Sequence, residues 1–265
     1  MPEGDTVYYT GLRLTQALAG KVLRRGELRH PRLSTVDLAG RTVEGVRTYG
    51  KHIFVRFDKD LSLHNHLMMD GSWQIHATGQ RWHSPAHHVR AILANDDHFA
   101  LGVRLHDMEL LRTKDEDARI AHLGPDLLGE NWDPETAAQA LAARPDREIG
   151  LALLDQTVMA GVGNVYKAEV CFLLGVSPWA KVSEVDARRA VDLSHELLTR
   201  NATTPSRNTT GLRRPATWVY GQRQCRKCGG RIQVADQGTG LEIRKTWFCP
   251  VCQRRNSLAT PPEIT

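Results

Sequence analysis

The chain has no long apolar run. Nothing in its 265 residues approaches the roughly 20 consecutive apolar positions that cross a bilayer. Its first residues lack the basic-then-apolar order of a secretory signal. It is poor in aromatic residues, at 6%, has only five cysteines and shows no internal repeat. These absences argue against a helical membrane protein, a disulfide-stapled secreted scaffold and a repeat array. The expected setting is the cytoplasm, at the nucleoid if the source is bacterial. Two glycosylation-like triplets, at Asn201 and Asn208, are therefore read as chance.

What is present is more telling. Four of the five cysteines form two pairs, Cys225-x-x-Cys228 and Cys249-x-x-Cys252, separated by twenty residues. Two such pairs of thiolates make a closed tetrahedral zinc site, and the intervening segment has a turn signal at Gly238-Thr239-Gly240 for a hairpin. A closed set of four ligands leaves no open position, so one structural Zn2+ is expected. Cys171 stands alone and reads as a small core residue. The net charge is +5, yet residues 221–255 hold eight bases against two acids, +6 on their own. A basic hairpin on a metal knot is a phosphate-binding device.

The amino terminus carries a second chemistry. In Met1-Pro2-Glu3-Gly4-Asp5, loss of the methionine would leave Pro2 with a free secondary amine. An α-amino group titrates near pH ~8 against ~10 for lysine, so more of it is uncharged at neutral pH and able to attack an aldehyde. Glu3 supplies a neighbouring carboxyl group for proton transfer.

Along the chain, Asp5 is expected to cap a helix from about Thr6 to Ala19. From Leu23 to about Leu111, short β-branched or alternating stretches suggest a sandwich or flattened barrel: Arg41–Arg47, His52–Phe57, Leu61–His66, Trp73–His76, His88–Leu93 and Phe99–Val103. Beyond Lys114 the texture is helical. Gly124–Leu128 reads as a turn into a helix, and Asp133-Pro134 as a cap followed by proline at a first helical position. Ala137–Ala143, Ile149–Met159, Val165–Leu174 and Val185–Leu198 read as helices, and 201–215 as a linker or exposed loop. Within Leu154–Tyr166, one helix ends at glycine and another begins near Asn164, a backbone-gripping turn with an anion site at its helix start. Lys51 sits where a turn enters a strand. Met68 and Met69 lie in Leu67–Gly71, which reads as a loop, where flexible apolar side chains can fill a vacated base position.

Four markers in order, Pro2-Glu3-Gly4, Gly50-Lys51, Leu154-Asp155-Gln156 through Gly163-Asn164, and Phe248-Cys249-Pro250-Val251-Cys252-Gln253, give a combination that resembles the formamidopyrimidine-DNA glycosylase / endonuclease VIII family. The opening Pro-Glu-Gly is most similar to the endonuclease VIII branch. The resemblance covers about residues 2–255. It implies an α+β multidomain fold: an N-terminal β-sandwich with a leading helix at 1–114, a helix–two-turn–helix domain at 115–215, a zinc finger at 216–256, and a disordered tail at 257–265. DNA would lie in the cleft between the domains.

The resemblance further implies a bifunctional DNA glycosylase/AP lyase that extrudes a damaged nucleotide. Pro2 would attack C1′, Glu3 would donate a proton to the sugar, and Lys51 would bind phosphate and assist β-elimination. Arg244 would clamp the phosphates around the lesion during δ-elimination, a task suited to a bidentate guanidinium. Asn164 would bind phosphate, Met68 and Met69 would stand near the void-filling positions, and His122 falls where some members carry a DNA-contacting arginine. Cys225, Cys228, Cys249 and Cys252 would hold the zinc. The expected partner is double-stranded DNA bearing oxidised bases or abasic sites, with no membrane association, and a monomer fits. Two alternatives stay open: an oxidised-purine glycosylase and a non-catalytic damaged-DNA-binding protein.

Overall fold

A computed structural model describes residues 2–253; the expected tail, 257–265, lies outside the described residues. The chain divides into two compact units, Met1–His122 and Leu123–Thr265.

The first unit opens with helix α1, Gly4–Leu18, two residues earlier than Asp5 as a cap would allow. Glu3 holds the N-cap position and Asp5 lies buried in the first turn, where a carboxylate suits the positive end of the helix dipole. Two four-stranded antiparallel sheets follow, with strand orders β1-β6-β7-β5 and β2-β3-β4-β8. The first joins β1 (Arg25–Leu28), β5 (Ser72–Ala77), β6 (Val89–Ala94) and β7 (His98–Val103). The second joins β2 (Val43–Tyr49), β3 (His52–Phe57), β4 (Leu61–His66) and β8 (Asp107–Leu111).

Period-two alternation explains the layering. Ile53, Val55, Phe57 and Leu63 of the second sheet meet Leu28, Ala91, Leu93 and Ala100 of the first in one core, which Val7, Leu14 and Leu18 of α1 join. The expected sandwich is present. The intervening residues of β3 and β4, among them His52, Arg56, Ser62, His64 and His66, are left on the opposite face. The unit runs past the expected boundary at 114 because α2, Glu116–Ile120, is tied back to the sheet. Glu116, 1% exposed, accepts from Arg56 Nη2 at 2.6 Å and from Ser62 Oγ at 2.6 Å.

In the second unit, helices α3 (Pro134–Ala142), α4 (Ile149–Leu154), α5 (Asn164–Leu174) and α6 (Ala187–Asn201) enclose a core that includes Leu141, Leu153, Val170 and Leu197. Asp133 caps α3 as its sequence predicts, accepting from the backbone N–H of Glu135 and Thr136 with proline beside it. Three expectations need correction. Residues 124–132 hold turns and no helix, because Asp126 pairs as a bridge with Ala160. The helix expected to reach Met159 stops at Leu154, since the Asp155 side chain turns back to accept from Thr157 N at 3.0 Å. The segment 201–215 is not simply an exposed loop: Asn201 and Thr209 are each 2% exposed, and Thr209 donates its hydroxyl to Glu169.

Strands β9 (Gln233–Gln237) and β10 (Arg244–Phe248) form the expected hairpin, in antiparallel register from Arg244↔Gln237 to Phe248↔Gln233. Glu169, fully buried on α5, accepts from the backbone N–H of Trp218 at 2.7 Å and of Val219 and Tyr220 at 2.9 Å, fixing the chain that leads into this hairpin. Among the described residues, no helix is long and apolar enough to cross a membrane.

Candidate functional site

In the first unit, Pro2 is half-buried at the head of α1 and Glu3 is fully buried beside it. The Glu3 backbone is extended, with φ −126° and ψ −175°, and its carbonyl accepts the first helical bond from Val7 N at 3.0 Å. The α1 axis therefore fixes where the terminal residue stands. Lys51 is the second residue of a two-residue turn closed by the Tyr49↔His52 pair. Gly50 takes φ +54° at the first central position, as the tight hairpin turns require. Such a turn leaves Lys51 little backbone freedom.

Met68 and Met69 lie on the connection after β4 and are 46% and 66% exposed. Met68 holds φ +53°, a left-handed conformation unusual for a side chain of its size. Its N–H donates to His66 Nδ1 at 2.9 Å, and Gly71 N closes the loop on Leu67 O at 2.8 Å. The loop thus presents two apolar side chains to solvent on a constrained backbone. His122 is exposed at the end of the unit.

Sequence reading missed the side chains around Lys51. His52 and His66 face each other across the β3–β4 pair, with rings 5.2 Å apart, and His64 follows two residues earlier on the same face of β4. His64 Nδ1 lies 2.9 Å from Glu109 Oε1, and its Nε2 lies 2.8 Å from His52 Nδ1. Glu109 also pairs with Arg119. Burial pushes the His52 imidazole down to about 3, aided by His64, His66, Arg119 and His122. Burial, then the Lys51 ammonium, push His66 down to about 4. His64 is lowered as well, by burial and Arg119 against the opposing pull of Glu109. The signal was in the sequence: Lys51-His52 and His64-Asn65-His66 place all three imidazoles on one strand face by alternation alone.

In the second unit, Asp155–Gly163 forms the turn before α5. Gln156 staples it, donating to Leu154 O at 2.8 Å and Val162 O at 3.0 Å and accepting from Gly161 N at 3.1 Å. Asp155 pairs with Arg144 and Arg147. Asn164 opens α5, 6% exposed, and donates one amide hydrogen to Lys245 O at 2.8 Å. An amide has two such hydrogens, so this bond sets the side chain without exhausting it as a donor. Lys167, fully buried one helical turn on, donates to Thr246 Oγ1 at 2.6 Å. Together these bonds tie the α5 start to β10, the strand that begins with the exposed Arg244. Sequence reasoning did not anticipate Lys167 as a tether.

The four cysteines converge. All four sulfur atoms lie within 4.8 Å of one another, with Cys225–Cys252 at 3.9 Å and Cys228–Cys249 at 3.5 Å. A tetrahedron of thiolates about 2.3 Å from a metal spaces its sulfurs about 3.8 Å apart, so the donor set fits such an ion. Cys171 is buried in the core away from this set, its thiol pushed up to about 12 by burial.

Two family models match the chain. Residues 1–113 match the formamidopyrimidine-DNA glycosylase N-terminal domain, and residues 123–203 match the formamidopyrimidine-DNA glycosylase H2TH domain. A probable endonuclease 8 2 of Streptomyces coelicolor is 52% identical over 96% of this chain and 94% of its own length. A DNA-(apurinic or apyrimidinic site) lyase Nei2 of Mycolicibacterium smegmatis is 46% identical over 96% of this chain and 99% of its own length. The fold is also that of Lactococcus lactis Fpg, solved in complex with DNA containing an abasic site, with a TM-score of 0.80 at 24% identity over 95% of this chain and 99% of that one. The sandwich, the stapled turn before α5 and the four-cysteine hairpin thus have a common origin: this chain belongs to the formamidopyrimidine-DNA glycosylase family.

Proposed function

We propose that this chain is a bifunctional DNA glycosylase/AP lyase of base-excision repair that acts on oxidised pyrimidines in double-stranded DNA. The observation that carries the reading is the head of α1, where Glu3 is fully buried directly beside Pro2. Burying a carboxyl group is costly unless the site compensates it, and the positive end of the α1 dipole is a place that can hold one. A glycosylase that attacks through its terminal amine needs a carboxyl group held at that position.

Once Met1 is removed, the Pro2 nitrogen attacks C1′ of an extruded nucleotide, the base leaves, and an iminium forms. Glu3 donates a proton to the sugar. The iminium acidifies C2′–H; loss of that proton expels the 3′ phosphate, and a second elimination releases the 5′ phosphate. Lys51 engages phosphate and assists the first elimination, and Arg244 clamps phosphate during the second. Asn164 and His122 contact the backbone, while Met68 and Met69 enter the space the nucleotide vacates. Cys225, Cys228, Cys249 and Cys252 would hold one Zn2+, whose role is to cross-link the base of the β9–β10 hairpin. The pyrimidine preference is supported by the Pro2-Glu3-Gly4 opening and by relatives named endonuclease 8.

The test is borohydride reduction during turnover of a thymine-glycol duplex, using protein whose Met1-free terminus is verified by mass spectrometry. A covalent protein–DNA adduct is expected, and Pro2→Gly should lower base release and adduct together by at least 100-fold. Absence of adduct from the Met1-free protein refutes the mechanism. Faster cleavage of 8-oxoguanine duplexes would instead assign the purine specificity, and binding of abasic analogues with no strand cleavage above background, unaltered by Pro2→Gly, would mark a non-catalytic binder.

A further inference from the structure

The histidines next to Lys51 do more than fill the sheet face. Glu109 Oε1, His64 and His52 form an unbroken hydrogen-bonded chain of 2.9 and 2.8 Å. Its proton positions follow from its end. A carboxylate only accepts, so His64 carries its proton on Nδ1 and donates it to Glu109. Neutral His64 then has a lone pair on Nε2, so His52 must donate from Nδ1. His52 is thereby held as one tautomer, with the lone pair on Nε2. His66 is fixed in the opposite sense: its Nδ1 accepts from Met68 N, so its proton sits on Nε2. Three imidazoles with assigned tautomers therefore lie on the sheet face that leads to the Lys51 turn.

We propose that Glu109, His64 and His52 form a hydrogen-bonded positioning relay that holds the Lys51 turn, with His66 packed edge-on against it, for the elimination step. This rests on the reading of Lys51 given above. Geometry places the relay: His52 immediately follows Lys51, closes its turn by pairing with Tyr49, and stands edge-on to His66. Packing makes it rigid: His64 is fully buried and stacked on Phe54 at 4.7 Å, and the far end is clamped by the Glu109–Arg119 pair.

Charge explains why the tautomers must be fixed. The cations Lys51 and Arg119 already crowd these rings, with Glu109 and Asp107 the acids facing them. Another cation on His52 would repel the ammonium that has to meet a phosphate. Burial keeps His52 neutral against the pull of the carboxylate, while the relay keeps its ring oriented. Such second-row partners orient functional side chains to within fractions of an ångström, and their loss weakens function without removing a reacting atom.

The relay makes a prediction that a general packing role does not. His64→Phe keeps the stack on Phe54 and deletes both hydrogen bonds; Glu109→Leu deletes the far acceptor. Each should lower single-turnover nicking of a preformed abasic site about tenfold relative to base release from a lesion, so that the lyase-to-glycosylase ratio falls about tenfold. The double variant should be no worse than either single one, because both break the same chain. Glu109→Gln, which keeps an accepting oxygen, should restore most of the ratio. In the wild-type protein, 15N NMR of the imidazoles should show the Nδ1–H form for His52 and His64 and the Nε2–H form for His66.

An unchanged ratio in both single variants, or additive losses in the double variant, overturns the relay. So does a proportional fall of nicking and base release that tracks a lowered Tm, since that marks packing alone. Borohydride trapping of the wild-type protein separates the two levels of the account: a trapped adduct with an unaltered ratio removes the relay and keeps the Pro2 mechanism.

Discussion

Lys51 and Arg244, the two cations assigned to phosphate, are held in opposite ways. Lys51 sits in a two-residue turn between β2 and β3, inside a four-stranded sheet whose inner face belongs to a large apolar core. Arg244 opens β10 of a two-stranded hairpin. Beneath that hairpin lies a small cluster in which Cys225 and Cys249 are themselves core residues. A lone two-stranded hairpin is marginally stable in water, so the second support rests on polar tethers such as Lys167–Thr246 and Asn164–Lys245 and, on the proposed reading, on an ion held by the four cysteines. The same kind of contact can thus be prepared by hydrophobic burial or by coordination and buried hydrogen bonds. The two supports should fail under different insults.

The largest expected effect is metal removal. Stripping the ion with a strong chelator, or Cys249→Ser, should unfold the β9–β10 hairpin and lower nicking by at least 100-fold, because structural zinc contributes on the order of 10 kcal/mol in small finger domains. Hydrogen exchange should show lost protection at 233–237 and 244–248 with protection at 52–66 retained. Loss at both regions together would break the contrast.

A core deletion should do the reverse. Leu63→Ala empties space at a fully buried position of β4 and should cost about 3 kcal/mol. Urea unfolding followed by exchange should register that loss at 52–66, with the hairpin amides spared.

Acid gives the smallest contrast and the most graded one. His52 and His66 are held down to about 3 and about 4 in the folded unit, against ~6.5 in an unfolded chain. Below pH ~6.5 the unfolded chain binds protons that the folded one refuses, so stability falls as pH drops, from about 6.5 toward the folded values. The depressed Asp155 of the other unit acts in a lower window. Burial would raise it, but hydrogen bonds from Thr157 and Arg144 prevail, and its contribution is lost only as pH falls through that depressed value. Calorimetry at pH 7.5 and 5.5 should therefore show the first unit losing Tm, and His52→Gln should flatten that slope. An equal slope in the variant would remove His52 from the account.

Much of this was legible in the sequence, for identifiable reasons. Leu61–His66 and His52–Phe57 show period-two alternation, and both strands appear with those bounds. The cysteine spacing required convergence of four sulfurs, and they converge. Asp133-Pro134 carries its own cap chemistry and opens α3. The misreadings arise where side-chain bonds to neighbouring backbone, or partners far along the chain, override the apolar pattern. Leu154–Met159 is apolar enough for helix, yet Asp155 and Gln156 fold back on their own backbone. Asp5 has a capping side chain, but Glu3 occupies the cap position. The relay was missed because Glu109 comes from β8, forty-five residues beyond His64, and no periodicity connects them.

The central claim is that an unblocked Pro2 nitrogen performs the chemistry, and one comparison tests it most directly. Met1-free protein and the same protein acetylated at Pro2 should be assayed side by side for nicking and for binding of a duplex with an abasic analogue. The acetylated form should bind within about threefold of the free form and give no detectable nicking or borohydride adduct. Equal nicking by the two forms would contradict the account.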